Sequence, residues 1–222
     1  RSDYLDAAQT AADFLLRAHR KGDDRLYRTS RNGRAHLEAV LEDYAFLGEG
    51  LVDVYEAGGD DRYLDAARHF AGRLIRSFQD AEQGGFFTTA KEHETLILPA
   101  REGADGATAS GNAVAAMLLA RLSFHLDRAD FRQAAIGAIR AYGRHLTRYP
   151  RGFAKSLAVV DFLTEGPIEL ALVGGQDDPG FSALQGAMRT AYLPNRIIAV
   201  THRSDGGSAH PLLVGKQTVG GG

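Results

Sequence analysis

The chain has no cysteine, so it can form no disulfide, no zinc–thiolate site and no dithiol redox pair. It has no excess charge of either sign. Its 26 basic residues against 28 acidic ones give a formal net charge of −2, with a pI near 6.5. That balance offers no electrostatic case for nucleic acid or for an acidic membrane surface as a partner. No apolar run is long enough to span a bilayer and no signal-peptide pattern is present, so the default location is cytoplasmic. Several catalytic signatures are absent as well. There is no GxSxG nucleophile elbow, no HExxH zinc helix, and neither GxGxxG nor GxxxxGK[ST] for phosphates.

What remains is ordinary globular composition, 44% hydrophobic and 24% charged over 222 residues, enough for one large domain or one and a half. Arginine far exceeds lysine and alanine is abundant, a composition typical of high-GC bacteria. The chain starts on Arg1 rather than Met and closes on "GKQTVGGG", so a fragment of a longer protein is expected.

The chain repeats itself. Tyr4-Leu5-Asp6-Ala7-Ala8 recurs 59 residues later as Tyr63-Leu64-Asp65-Ala66-Ala67, and Ala12, Leu15 and Arg17 align with Ala71, Leu74 and Arg76. A third copy, offset by a further 68, pairs Tyr63 with Phe131, Ala66-Ala67 with Ala134-Ala135, and Arg76 with Arg144. Within each copy apolar residues recur at i, i+3, i+4 and i+7, the pattern of an amphipathic helix with one polar face. Between the copies, 45–56 and 112–126 are apolar around most of their circumference, and a third such stretch lies at 153–162. Helices of that kind are buried on most sides. The order is therefore outer, inner, outer, inner, outer, inner. A period of 60 to 70 residues exceeds the roughly 33 to 34 of tetratricopeptide and ankyrin units. It suits helical hairpins with long excursions, the building unit of an α/α toroid, with about three hairpins of six present. The excursions 25–40 and 84–110 contain β-leaning stretches, and Gly84-Gly85 is placed to cap the preceding helix.

After residue 164 the texture changes. "IELALVG", a helical stretch from Phe181 to Thr190, and "RIIAV" form a strand–helix–strand unit with parallel strands. The expected organisation is a mainly α part over 1–164 and a small α/β lobe over 165–222. "LVGGQDDPG" resembles a phosphate-binding turn only loosely. Asp177 and Asp178 would repel phosphate, so a strand–helix turn capped by Asp is the better reading.

Four groups of residues are candidates for chemistry. Glu42, Asp43 and Tyr44 stand before an inner helix, where paired acids supply helix capping or, alternatively, sugar contacts and acid–base catalysis. Asp105-Gly106 and Ser110-Gly111-Asn112 precede the next inner helix. Asn112 lies 68 residues beyond Tyr44 and so is its repeat equivalent. Asp, Ser, Asn and Tyr converging at one level suit a hydroxyl-rich ligand, and suit tight turns equally. Lys91, Glu92, His93, Glu94 and Arg101 form either a solvated charged loop or a proton shuttle centred on His93. Asp43, Asp105 and His93 are the candidate catalytic groups, with Glu42, Tyr44, Arg101, Ser110 and Asn112 the candidate substrate-binding ones. His69 and His145 are expected on outer helix faces. No metal site and no cofactor is implied.

The segments "LEDYAFLGEGLVDVYEAGGDDRYLDAA", "GGFFTTA", "DGATASGNAVAAMLLARL" and "PIELALVGG…YLPNRIIAV…HPLLVGK", in this order and over nearly the whole chain, resemble the spermatogenesis-associated protein 20 family of thioredoxin-domain proteins and its bacterial members. The resemblance implies an upstream thioredoxin-like domain. It also implies a helical toroid similar to six-hairpin glycosidases and N-acylglucosamine 2-epimerases, of which this chain is the later part. Two departures stand out. Ala109 replaces a proline, and no cysteine-bearing segment follows Gly215-Lys216. Two functions are compatible with this: a carbohydrate-acting toroid of epimerase, isomerase or glycosidase type, or a non-catalytic scaffold beside the thioredoxin-like domain. The implied partners are a sugar or sugar derivative and the upstream part of the same protein.

Overall fold

Outer and inner helices alternate along the chain, and each inner helix starts where a polar side chain (Asp43, Ser110 or Asp105) accepts a backbone N–H. A computed structural model describes residues 2–22, 24–93, 100–175, 177–202 and 210–218. The amphipathic α1 (Ser2–Ala18) leads into a three-stranded antiparallel sheet of β1 (Arg20–Lys21), β2 (Arg25–Arg31) and β3 (Arg34–Glu38). The β2–β3 turn is Asn32-Gly33, both at positive φ (52° and 75°), the two-residue hairpin geometry that matches strand twist. Then follow the inner α2 (Leu41–Gly58), the outer α3 (Asp61–Arg73), the inner α4 (Gly111–His125), the outer pair α5 (Ala129–Arg140) and α6 (Gly143–Arg148), and the inner α7 (Ala154–Glu165). α4 packs between α2 and α7, with α3 and α5 behind it. The mainly helical hairpins are those the repeat predicts, and the small appended α/β unit is the one expected from the change of texture after 164.

The appended unit is β4 (Ile168–Val173), α8 (Pro179–Thr190) and β5 (Arg196–Thr201). The strands are parallel, in register from Ile168 opposite Arg196 to Val173 opposite Thr201. Asp178 caps α8 by accepting the Gly180 N–H at 2.8 Å, with Pro179 pre-set for the first turn. β5 ties the unit to the hairpins: Ile197 joins the main core, while Ile198 and Val200 pack with Phe181 under α8.

Gly84-Gly85 does not cap the outer helix. α3 continues as a π-helical turn through Leu74–Phe78 and stops at the extended Gln79, which bridges to Phe86. The two glycines, at φ 75° and 76°, belong to the turn that follows. A Cβ on Gly84 would lie 2.5 Å from the Gly137 carbonyl oxygen, so both conformation and space require glycine there.

The core is centred on α4, which is buried at every residue except the half-exposed Phe124. The contact of α2 with α4 depends on Gly48, where an added Cβ would meet Leu118 Cδ2 at 2.5 Å. Leu118 is itself fully buried, so it yields only by displacing its packed neighbours. We expect Gly48→Ala to destabilise the fold by about 1–3 kcal/mol through overpacking, read as a lower urea midpoint at unchanged m-value.

Candidate functional site

The groups flagged before the inner helices make their hydrogen bonds to backbone. Asp43, in the first turn of α2, reaches back with Oδ2 to accept the Val40 N–H at 2.8 Å, and Arg28 Nε stands 4.0 Å from the same oxygen. Tyr44 is buried against Phe70 and Phe78, and its hydroxyl accepts the Leu26 N–H at 3.0 Å. Burial raises its pKa above the usual phenol value. Asn112, its repeat equivalent, is also buried. Its Oδ1 accepts from Phe86 N at 2.7 Å, and its Nδ2 donates to the Phe86 and Glu102 carbonyls at 2.9 Å each. The two positions thus do the same work, each pinning the preceding excursion to the first turn of an inner helix.

Asp105 braces two elements: Oδ1 accepts from Ser110 N and Oδ2 from Lys155 N, both at 2.9 Å, so it caps α7 from a distance. Ser110 caps α4 through the Ala113 N–H at 3.2 Å. Arg101 donates to Asp80, to the Gly84 carbonyl and to Gln83 at 2.7–2.8 Å. Glu92 pairs with Arg73 at 3.2 Å and accepts from Ser77 at 2.8 Å. The ring of His93 bonds to nothing among the described residues, and Glu94 lies outside them. Glu42 is exposed.

Glu42 and Asp43 stand at one end of a groove of about 720 Å³ between α1 and α2 whose walls are chiefly Ala8, Ala12, Leu15, Phe46, Leu51 and Val54. Asp105 does not reach it. The structure therefore brings Glu42 and Asp43 together, and Asp105, Ser110 and Asn112 together. The two helix starts nevertheless adjoin: Thr108 lines the groove with Glu42 and Asp43, and a Cβ on Gly111 would lie 2.9 Å from Glu42 Cγ.

A second cavity, of about 330 Å³, lies on the other side of α2, between the three inner helices and the connection from α8 to β5. It is smaller but far more polar, and the sequence reading did not find it. From α2 come Glu49, Asp53 and Glu56; Arg121 comes from α4, Lys155 from α7, Tyr192 from the connection and Arg196 from the start of β5. The charges pair closely. Lys155 Nζ lies 2.6 Å from Glu49 Oε1, and Arg121 sits 2.7 Å from Asp53 Oδ1 and 3.1 Å from Glu56 Oε1. Behind Glu56 runs a buried pair of histidines. His125 Nε2 is 2.9 Å from Glu56 Oε1, and His125 Nδ1 is 3.1 Å from His210 Nε2. Tyr55 stacks on the His210 ring, with centroids 5.7 Å apart and planes at 13°.

Burial alone would raise the Glu56 carboxyl, but the hydrogen bond from His125 and the Arg121 charge outweigh it and hold Glu56 below its usual value. Burial lowers the His125 ring, with Glu56 opposing. Burial, helped by His125, pushes His210 down to about 4. A carboxylate, a guanidinium and two neutral imidazoles are thus the resting state. Sequence held one signal for this site. Asp53 and Arg121 are separated by the same 68 residues as Tyr44 and Asn112, so the repeat places them side by side on neighbouring inner helices. Nothing signalled His210, which lies 85 residues from its partner.

Among the described residues, no group of three His, Asp or Glu could hold a metal ion, and no helix is long and apolar enough to cross a membrane.

Fold and cavity together define a helical-hairpin protein whose inner helices present a charged, concave wall. No family model matches the chain. It is similar to spermatogenesis-associated protein 20, at 26% identity over 159 residues for the human protein and 27% over the same length for the rat protein. An uncharacterized protein of Caenorhabditis elegans is 26% identical over 208 residues, or 90% of this chain. These relatives support the family that the motifs resemble. The matched region covers 71% of this chain but only 20% of the human protein, so the chain spans a small part of the length of these relatives.

The lowered histidines make stability depend on pH. Between about 4 and 6.5 the unfolded chain binds protons that the buried rings refuse, so the contribution is complete above 6.5 and lost as pH falls toward 4. His210 alone accounts for about 3 kcal/mol at that limit. Urea unfolding at pH 7 and pH 5 should show the chain less stable at pH 5, and His210→Gln should flatten the difference.

Proposed function

We propose that the chain forms part of a carbohydrate-binding α/α toroid, and that the wall cavity between α2, α4 and α7 is where its ligand sits. The observation that carries this reading is the cavity's balanced charge. Three carboxylates (Glu49, Asp53, Glu56) face three cations (Arg121, Lys155, Arg196). Such a lining supplies many fixed donors and acceptors with no net charge, which suits a neutral, hydroxyl-rich molecule better than a sugar phosphate. Tyr192, 90% exposed at the rim, offers an aromatic face to the apolar side of a sugar ring. Epimerase, isomerase or glycosidase-type chemistry is the enzymatic form of this reading. Asp43, Asp105 and Asn112 serve it as the frame that fixes the inner helices, and Glu42 and His93 as polar groups of the loop face. The reading rests in part on analogy of fold, and the activity of any longer protein belongs to the same proposal.

One observation favours the non-catalytic alternative. The α1–α2 groove is apolar and larger, as expected of a face that covers another protein segment, including the upstream part of the same protein.

Calorimetric titration with neutral methyl glycosides and with sugar phosphates separates the two. A neutral glycoside should bind the wild-type chain, and Tyr192→Ala should weaken it about tenfold, or about 1.4 kcal/mol, with unchanged melting temperature because the side chain is exposed. No heat with any sugar would favour the scaffold reading.

A further inference from the structure

The donors and acceptors behind Glu56 have a fixed direction. The Leu212 N–H donates to His210 Nδ1 at 3.2 Å, so in the neutral ring the proton sits on Nε2. His210 Nε2–H then donates to His125 Nδ1 at 3.1 Å, which leaves the His125 proton on Nε2, aimed at Glu56 Oε1 at 2.9 Å. Arg121 donates to the same oxygen at 3.1 Å. Both contacts of Glu56 thus fall on Oε1, while Glu56 lines the wall cavity.

From this geometry we propose that Glu56 is the cavity's anionic hydrogen-bond acceptor and that a one-way wire, Leu212 N–H to His210 to His125 to Glu56, positions it. Glu56 is the group that meets a ligand, and His125 and His210 are positioning residues. The proposal extends the reading of the cavity as a ligand site, but its test uses no ligand, so the two stand or fall separately.

The wire admits no extra proton without breaking. A proton added to His210 Nδ1 would confront the Leu212 N–H, and one added to His125 Nδ1 would confront His210 Nε2–H. Charged and titratable groups face it from every side. Glu56 and Tyr55 come from α2, Arg121 shares α4 with His125, and Glu169 of β4 acts on His125 from the lobe. Asp53 reaches the wire only through Arg121. Protonation of His125 Nδ1 therefore breaks the bond between the 210–218 segment and α4 and leaves the Nε2–H on Glu56 in place.

The test is ¹⁵N-histidine and ¹³C-carboxyl NMR of the whole chain across pH 7.5 to 4. At pH 7.5 both rings should be neutral with the proton on Nε2. In His210→Ala, His125 loses the donor that polarises its ring through Nδ1, so its Nε2–H donates more weakly to Glu56. The Glu56 midpoint should then rise although residue 210 does not touch Glu56. His210→Gln, whose amide can donate to His125, should restore the wild-type midpoint and serves as the folded control. A charged His125 at pH 7.5, an Nδ1–H tautomer in the wild type, or a Glu56 midpoint indifferent to His210→Ala in a folded protein would overturn the wire.

Discussion

Burial of α4 on nearly all sides is the constraint from which the rest of the structure follows. A helix with apolar residues around its whole circumference needs neighbours on every face, and here α2 and α7 flank it while α3 and α5 lie behind and β5 packs on it as well. Yet Arg121 and His125 sit one turn apart on this same helix, at 9% and 0% exposure. Burying a guanidinium and an imidazole costs several kcal/mol unless partners compensate. Asp53 and Glu56, one turn apart on α2, supply the compensation. The fold therefore requires α2 and α4 to lie in a single register, and that register creates the charged wall.

The same logic explains the loops. Long excursions between hairpins cost conformational entropy, and the first turn of an inner helix recovers the cost through one buried polar side chain. Tyr44 holds the β2 strand and Asn112 holds the Phe86 segment, while Asp105 fastens the α4 approach to the start of α7. Removing any one of them would leave a backbone N–H without its acceptor, at about 1–3 kcal/mol when buried. Residues that look like a ligand constellation in the sequence are thus also what a helical-hairpin fold needs at its corners.

The fold was legible because its signals are local and repeated. The 59- and 68-residue offsets, the apolar run through Ala113–Leu122 and the strand–helix–strand texture after 165 each map onto an observed element. Gly84-Gly85 misled because a glycine pair after a helix reads as a cap, whereas the π-helical turn and the Gln79–Phe86 bridge end α3 earlier. The wall cavity was only half legible. Its α2 and α4 members follow from the repeat arithmetic already used for Tyr44 and Asn112, and a lone Arg121 in an apolar helix calls for a buried acid nearby. Tyr192 and His210 come from the appended lobe, and only the docking of β5 against the hairpins brings them to the site. Long-range docking of that kind has no periodic trace in a sequence.

On the proposed function, the polar wall rather than the apolar α1–α2 groove meets a small ligand. Hydrogen–deuterium exchange with and without a saturating neutral methyl glycoside separates the two faces. Added protection is expected in 117–121 and 191–196, which border the wall cavity. Protection confined to 8–15, on the groove side of α1, or none at any concentration, would contradict it.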